Sequence, residues 1–335
     1  MEKQLLDLVV TGAGPAGICC GLEAQNAGLD YLVLDKGVLV NSIYHFPTNM
    51  TFFSTSLKLE IGGVPFISHA DKPTRKEALE YYRRIVESRN LRVQLYEEVL
   101  GVMPDRSNGD GLRYRVQTTK GEYLTRAVVV STGYYDTPRK LNVPGEDLPK
   151  VKHYYDDAHP YIGQKVLVIG AANSACDVAL ETWQKGAEVT MAVRENQLYQ
   201  KVKYWILPNI ENRIKEGSIR AFFDTTVREI REKSVVLNTP EGEKIIENDF
   251  VLAMTGYQPN YAFFEKIGLQ IENGPDRLPV LNPDTFESSM ENVYLAGVVQ
   301  SGLQTSKLFI ENTRHHGAII VKDLCRKLSR TPREV

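Results

Sequence analysis

The stretch Leu5-Leu6-Asp7-Leu8-Val9-Val10 leads through Thr11 into Gly12-Ala13-Gly14-Pro15-Ala16-Gly17. An apolar strand that enters a glycine-rich turn and then a helix is typical of a dinucleotide-binding βαβ unit. The glycines let the backbone approach a pyrophosphate, and the helix N-terminus supplies unpaired N–H groups and the positive end of its dipole. We therefore predict that Gly12, Gly14, Pro15, Ala16 and Gly17 bind a dinucleotide, with a helix from Pro15 to Asn26.

A second turn of this kind, Gly170-Ala171-Ala172-Asn173-Ser174-Ala175, follows the strand Lys165-Val166-Leu167-Val168-Ile169. Ala172 and Ala175 replace two of the usual glycines, so a βα turn that binds no phosphate stays open as an alternative here. Gly170, Asn173, Ser174 and Ala175 are the candidate nucleotide-binding residues. Two such turns predict two dinucleotides on one chain, an arrangement typical of proteins that pass electrons between them.

The residue that ends the second strand of each unit is expected to meet the adenosine ribose. In the first unit this residue is Asp35, followed by Lys36. A carboxylate accepts hydrogen bonds from ribose hydroxyls and repels a 2′-phosphate, which suits FAD or NAD. In the second unit it is Arg194, with Lys201 and Lys203 as candidate helpers. A guanidinium suits a 2′-phosphate, so the second site is predicted to bind NADPH.

Length and charge restrict the class of protein. The 335 residues exceed the usual size of a single core and predict two domains. The net charge is −2, with 40 basic and 42 acidic residues, so we expect no nucleic-acid partner. No apolar run approaches the roughly 20 residues that span a bilayer, and Met1-Glu2-Lys3-Gln4 lacks a signal-peptide layout. We expect a cytoplasmic protein with no membrane association.

The four cysteines are Cys19, Cys20, Cys176 and Cys325. No C-x-x-C pair occurs, and no His/Cys cluster has metal-ligand spacing, so no metal site is predicted. All four lie in helical patterns. We expect them to be small buried residues.

Strand and helix patterns alternate along the chain, which predicts parallel sheets. A second helix is expected from Thr74 to Arg89. Strands at 98–105 and 114–118 are expected to form an antiparallel flap that lies against the first sheet.

Two strands end in Thr-Gly pairs, Thr132-Gly133 and Thr255-Gly256, where the chain crosses between domains. We predict an α/β fold with two Rossmann-like units: an FAD domain formed by residues 1–139 and 255–335, and an inserted NADPH domain at 140–254. A C-terminal strand leads into Gly297, and a helix is expected over about 306–327.

This layout resembles the thioredoxin-reductase-like group of two-dinucleotide flavoproteins. A closer resemblance, over nearly the whole chain, is to the bacillithiol disulfide reductase family of low-GC Gram-positive bacteria. The segments that carry it are Ser42-Ile43-Tyr44, Thr51-Phe52-Phe53-Ser54, Lys58-Leu59-Glu60-Ile61-Gly62, Val64-Pro65-Phe66, Ala296-Gly297-Val298 and Phe309-Ile310-Glu311-Asn312.

The resemblance implies an NADPH-dependent oxidoreductase that carries FAD and reduces the disulfide of a low-molecular-weight thiol. It implies FAD at the first glycine turn and Asp35, NADPH at the second turn and Arg194, and a flavin ring beside Gly297, Val298 and the 306–327 helix. Thr132, Gly133 and Gly256, in the Thr-Gly pairs where the chain crosses between domains, are further cofactor-binding candidates. A homo-oligomer is also expected.

The sequence departs at one position from the bacillithiol disulfide reductase family and at another from the wider superfamily. Members of the bacillithiol disulfide reductase family carry a cysteine in the first glycine turn, at the position held here by Ala16. Thiol–disulfide exchange needs a thiolate; Cys20, one turn further along the same helix face and about 6 Å deeper, is a weak candidate replacement. In addition, Gly297-Val298 replaces the superfamily's Gly-Asp, a change that the bacillithiol-type branch shares.

Three other functions remain open from the residues. A ferredoxin- or flavodoxin-NADP reductase of this type would pass electrons to a small redox protein and also lacks a cysteine pair. A flavin monooxygenase is disfavoured. Such enzymes carry a Phe-x-Gly-x-x-x-His pattern, and this chain has only its histidine, His153. A non-catalytic NADPH sensor has no positive support. His45, His153, His315 and His316 are candidate acids near the flavin.

Overall fold

The computed structural model describes residues 4–106 and 111–329. Its strands and helices alternate as the sequence predicts. The strands are β1 (Leu5–Thr11), β2 (Tyr31–Leu34), β3 (Val93–Gln94), β4 (Val99–Asp105), β5 (Arg113–Thr118), β6 (Glu122–Val130), β7 (Val151–Lys152), β8 (Lys165–Ile169), β9 (Glu188–Ala192), β10 (Arg220–Phe222), β11 (Thr226–Ile230), β12 (Ser234–Thr239), β13 (Gly242–Glu247), β14 (Phe250–Ala253) and β15 (Val293–Leu295).

The α-helices are α1 (Pro15–Asn26), α2 (Asn41–Tyr44), α3 (Ser56–Leu59), α4 (Arg75–Ser88), α5 (Asn173–Gln184), α6 (Leu207–Lys215), α7 (Tyr261–Ile267), α8 (Ile310–Thr313) and α9 (His316–Lys327). Short 3₁₀ segments occur at His159–Tyr161 and Gly297–Ser301. None of the helices in the described residues is long and apolar enough to cross a bilayer.

The described strands form three sheets. The first has the order β3-β2-β1-β6-β5-β4, with β15 also paired to β6, and β1 is parallel to both of its neighbours. The second, β10-β9-β8-β14-β7, is parallel throughout. The third is the antiparallel meander β11-β12-β13. The predicted α/β class with two Rossmann-like units is confirmed.

Local sequence explains where the main elements begin. Val9 and Val10 in β1 are fully buried, as expected for a parallel strand covered on both faces. Helix α4 begins with a capping box, in which the Thr74 hydroxyl accepts from the Glu77 amide and the Glu77 carboxylate accepts from the Thr74 amide. By contrast, α1 begins at Pro15 with no side-chain cap, which leaves its N-terminal N–H groups open to a ligand.

Contacts divide the chain into two units. One consists of the described residues up to His45, those of Met50–Thr137 and those from Tyr257 onward. The other consists of Phe46–Asn49 and Pro138–Gly256. The sequence did not predict that Phe46–Asn49 groups with the second unit, where the Thr48 amide donates to the Asp156 carbonyl at 2.8 Å.

Two local predictions were wrong. Strands β4 and β5 are antiparallel to each other, as predicted, but they do not lie against the first sheet: β5 pairs with β6, so both strands extend that sheet at its edge. The predicted 306–327 helix is interrupted: α8 ends at Thr313 and α9 begins at His316. At the break the Arg314 side chain donates to the carbonyls of Leu57 and Glu60, a contact that sequence periodicity does not encode.

Candidate cofactor sites

The three glycines of the first turn have different physical roles. Gly12 has φ +105°, and a Cβ there would lie 2.5 Å from the Ser131 carbonyl oxygen. A Cβ on Gly17 would overlap the Gly12 carbonyl oxygen. A Cβ on Gly14 would meet nothing within 4 Å. Gly12 and Gly17 are therefore required by the packing of helix on strand, whereas Gly14 borders open space where a pyrophosphate could approach the backbone.

Asp35 lies at the carboxyl end of β2, beside this turn. The Gly12 amide donates to the Leu34 carbonyl at 2.7 Å, which brings the end of β2 against the turn. The Asp35 carboxylate accepts from the Ala13 amide at 2.7 Å and the Gly37 amide at 2.9 Å. Burial nevertheless raises its pKa above the usual value. Lys36 points elsewhere and forms an exposed ion pair with Asp136.

The carboxyl end of β6 completes the same edge of the sheet. The Ser131 hydroxyl donates to the carbonyls of Thr11 and Gly12, a brace that the sequence analysis missed. Thr132 carries a buried hydroxyl oxygen with no hydrogen-bond partner among the described residues. Since buried polar groups are normally paired, this hydroxyl is consistent with a ligand contact. Gly133 follows in a left-handed turn.

Gly297 begins the 3₁₀ segment after β15 and lies against Ala16. A Cβ on Gly297 would be 2.8 Å from the Ala16 Cβ. The Gly297 amide donates to Nδ1 of His316 at 3.1 Å. Val298 is half-buried, and its carbonyl accepts from the Ser301 hydroxyl. The first unit therefore brings Gly297 and Val298 to the first glycine turn.

The second unit repeats this geometry. The Gly170 amide donates to the Ala192 carbonyl at 3.1 Å, the counterpart of the bond from Gly12 to Leu34. A Cβ on Gly170 would lie 2.6 Å from the Met254 carbonyl oxygen. Ala175 is buried, and Ser174 is exposed in the first turn of α5.

The cations predicted for the second site have different environments. Arg194 lies just beyond β9 with its side chain 79% exposed, and it forms an ion pair with Glu195 at 2.7 Å. Lys203 is only 14% exposed and pairs with Asp177 at 2.8 Å, while its amide donates to the Asn173 side chain. Lys203 therefore anchors its loop to α5. Lys201 is exposed, and the role of either lysine as a helper for a 2′-phosphate stays a prediction.

The crossing that contains Gly256 also belongs to the second unit. Gly256 adopts φ +86°, and its carbonyl accepts from the Arg139 amide at 2.9 Å. The Thr255 hydroxyl donates to the Arg139 carbonyl. These two hydrogen bonds with the Arg139 backbone hold Gly256 just beyond the carboxyl end of β14, the strand that neighbours β8.

All four cysteines are buried, as predicted, and none of them forms a disulfide in the structure. Cys20 is 0% exposed, and burial raises the pKa of its thiol to about 12. A buried protonated thiol is a poor nucleophile. The geometry therefore does not favour Cys20 as a replacement for a thiol at position 16.

The candidate histidines are separated by the fold. His45 and His315 are exposed. His153 lies 3.2 Å from the Glu146 carboxylate in the second unit. His316 is buried against Gly297, and burial lowers its pKa to about 4. Of the four candidate histidines, which all lie in the described residues, His316 is the one with a hydrogen bond to Gly297. The sequence placed His315 and His316 side by side but could not show which of them makes this contact.

The comparisons with known proteins agree with this geometry. Residues 9–297 match the family model described as pyridine nucleotide-disulphide oxidoreductase. The chain is 44% identical to a bacilliredoxin reductase of Bacillus subtilis, over 95% of this chain and 97% of the relative.

Two solved structures are similar over nearly the whole chain. Bacillithiol disulfide reductases from Staphylococcus aureus and Bacillus cereus each superpose with a TM-score of 0.92 and 40% identity. They cover 97% of this chain and 99% and 100% of their own chains, respectively. The predicted class of enzyme, an oxidoreductase that uses a pyridine nucleotide, is confirmed. This chain belongs to the pyridine nucleotide-disulphide oxidoreductase family, within its bacillithiol disulfide reductase branch.

Proposed function

We propose that this protein is an NADPH-dependent FAD oxidoreductase that delivers electrons to the disulfide of a low-molecular-weight thiol of the bacillithiol type. The observation that carries the proposal is that the two units have equivalent glycine turns, whereas the residue after the second strand is an acid in the first unit and a base in the second. Asp35 is buried at the end of β2, beside the turn of the first unit, and Arg194 is exposed just beyond the end of β9 in the second. The names of the two similar solved structures, both bacillithiol disulfide reductases, support the disulfide as the substrate class.

The residues of the first unit fit FAD. Gly14 leaves open space at the uncapped N-terminus of α1, where phosphates are favoured by the helix dipole. The Asp35 carboxylate accepts from ribose hydroxyls, and the unpaired Thr132 hydroxyl supplies a further polar contact. When bound, FAD supplies the hydride and electron chemistry that side chains lack.

The residues of the second unit fit NADPH. The N-terminus of α5 also lacks a side-chain cap, and Ser174 is exposed in its first turn. Arg194 pairs with the 2′-phosphate by charge-assisted hydrogen bonds, which distinguishes NADPH from NADH. Lys203 holds the loop of residues 199–203 against the start of α5 and contributes indirectly.

We infer that this chain contributes no thiolate to the reaction from α1. Ala16 has no thiol, and both cysteines of α1, Cys19 and Cys20, are buried with thiol pKa values raised by burial. The chain's part in disulfide reduction is to bind and orient the substrate beside the first cofactor site. A cytoplasmic location and a homo-oligomeric state complete the proposal; both follow from the sequence and its family resemblance.

The test is to reduce the FAD-loaded protein anaerobically with NADPH and mix it with candidate acceptors. We expect bacillithiol disulfide to reoxidise the flavin rapidly, and glutathione disulfide to do so slowly. Rapid reoxidation by ferredoxin or flavodoxin, with none by the disulfide, would contradict the proposal and favour the alternative reductase. Formation of an oxygenated product in air would instead favour a monooxygenase.

A further inference from the structure

A buried hydrogen bond joins the start of α9 to the segment that follows β15. Nδ1 of His316 accepts the amide N–H of Gly297 at 3.1 Å, and His316 is only 6% exposed. Gly297 is also buried. In the folded protein this amide therefore depends on the imidazole for its hydrogen bond.

The same two residues adjoin the first glycine turn. Gly297 lies so close to Ala16 that a Cβ on the glycine would be 2.8 Å from the alanine Cβ. Gly317, next to His316, approaches the backbone of Cys19 so closely that a Cβ would lie 2.9 Å from its carbonyl group. His316 and Gly317 thus tie α9 to both the Gly297 segment and α1.

The imidazole is held in one state and one orientation. Because Nδ1 accepts a hydrogen bond, the ring is neutral with its proton on Nε2. The ring of Phe286 packs on it at a centroid distance of 4.3 Å. Phe286 adopts φ +60°, which is unusual for a bulky residue, and its carbonyl accepts from the Leu295 amide at 3.0 Å. Strained conformations of this kind persist only where the surroundings hold them.

We propose that His316 is a positioning residue of the first cofactor site: its Nδ1 lone pair holds the Gly297 amide and thereby fixes residues 297–301 against Ala16. The inference rests on the proposed function, in which this site takes FAD. A shift of the segment changes the dipoles that surround the flavin, and such dipoles tune its reduction potential. His316 acts through Gly297 and touches no reacting atom.

The experiment compares two substitutions with opposite effects. His316→Phe keeps an aromatic ring against Phe286 and removes the acceptor. His316→Asn removes the ring but places an amide oxygen where Nδ1 was. His315→Asn, at the exposed neighbouring position, is the matched control. If the phenylalanine variant fails to fold, His316→Leu replaces it as the variant without an acceptor.

Three quantities are measured: the affinity for FAD, the flavin midpoint potential, and amide hydrogen exchange of residues 296–300 in the FAD-free protein. We expect His316→Phe to weaken FAD binding about tenfold or more, shift the potential and speed exchange, because a buried amide is left unpaired. We expect His316→Asn to remain within about threefold of the parent in affinity, since the acceptor is kept.

Two results would overturn the proposal: a phenylalanine variant that matches the parent, or an asparagine variant as impaired as the phenylalanine one, which would assign the effect to packing. If the parent itself fails to bind FAD, the proposed function fails. In that case exchange in the FAD-free protein still decides whether His316 holds Gly297.

Discussion

The carboxylate of Asp35 accepts the backbone amide of Ala13 at 2.7 Å, so the acid predicted to bind a ribose also braces the glycine turn. Its other oxygen accepts from Gly37 at 2.9 Å. The Asp35 side chain therefore holds the phosphate-binding turn in shape and is itself held in position by that turn. The two backbone hydrogen bonds favour the ionised carboxylate and oppose burial, which raises its pKa.

Asp35→Asn should weaken both the fold and FAD binding. The amide group has one accepting oxygen, so one of the two backbone N–H groups loses its partner. We expect a loss of roughly 1–3 kcal/mol in the free energy of unfolding of the FAD-free protein, measured by urea titration. FAD affinity, measured by titration of the same protein, should also fall. The control is Asp71→Asn at an exposed position, and equal values for Asp35→Asn and the parent would refute the coupling.

Arg194→Ala should change the choice between the two nicotinamide cofactors. We expect NADPH binding to weaken by roughly 1.5–3 kcal/mol and NADH binding to stay nearly constant, because only NADPH carries the 2′-phosphate. Calorimetric titration of both cofactors measures this. Lys203→Gln provides the contrast: since Lys203 pairs with Asp177, its loss should affect both cofactors alike. A parallel loss of both cofactors in the Arg194 variant would show that Arg194 does not meet the phosphate.

Cys20→Ala should leave disulfide reductase activity within a few-fold of the parent. The thiol is fully buried and its raised pKa keeps it protonated at neutral pH, so it cannot serve as a nucleophile. Steady-state kcat/KM with bacillithiol disulfide is the measurement. A loss of about 10³ or more, equivalent to some 4 kcal/mol of transition-state stabilisation, would show that Cys20 takes part in the reaction.

Ala16→Cys should raise disulfide reductase activity. The family resemblance implies a thiol at this position, and Ala16 is half-buried beside Gly297, where a cysteine would be partly accessible. Ala16→Ser, which adds a side-chain atom without a thiol, is the control. No gain in the cysteine variant, together with rapid electron transfer to ferredoxin or flavodoxin, would favour the alternative function.

His316 should make the fold less stable as the pH falls. Burial lowers its pKa to about 4, against about 6.5 in an unfolded chain. Between these values the unfolded state binds the proton and the folded state does not, so stability falls as the pH drops through this window, by about 3 kcal/mol at most. Urea titrations at pH 7 and pH 5 should show that the free energy of unfolding decreases less between these two pH values in His316→Asn than in the parent. If the exposed-site variant His315→Asn reduced the decrease equally, the assignment to His316 would be wrong.

Periodicity and turn chemistry were sufficient to predict two long helices of the first unit. Helix α1 spans Pro15–Asn26 as predicted, because proline at its first position and the preceding glycines mark its start. Helix α4 begins one residue after its predicted first residue, Thr74, which caps it. These signals are local, so they can be read without knowledge of the fold.

Contacts between distant segments could not be read in this way. The break between α8 and α9 coincides with bonds from Arg314 to the carbonyls of Leu57 and Glu60, far away in sequence. Lys203 was a candidate helper for a 2′-phosphate, and its partner in the structure is Asp177 on α5, which the sequence did not indicate. A long flexible side chain near a site has several partners within reach, and only the fold selects among them.

The sequence by itself determined the two βαβ units, the glycine turns and the opposite charges of Asp35 and Arg194, because strand–turn–helix units are specified by neighbouring residues. Only the tertiary structure decided that Asp35 braces Ala13, that Cys20 is enclosed, and that His316 holds Gly297 beside Ala16. The physical reason is that the burial of a side chain and its hydrogen-bond partners depend on which distant segments of the chain pack together in the fold.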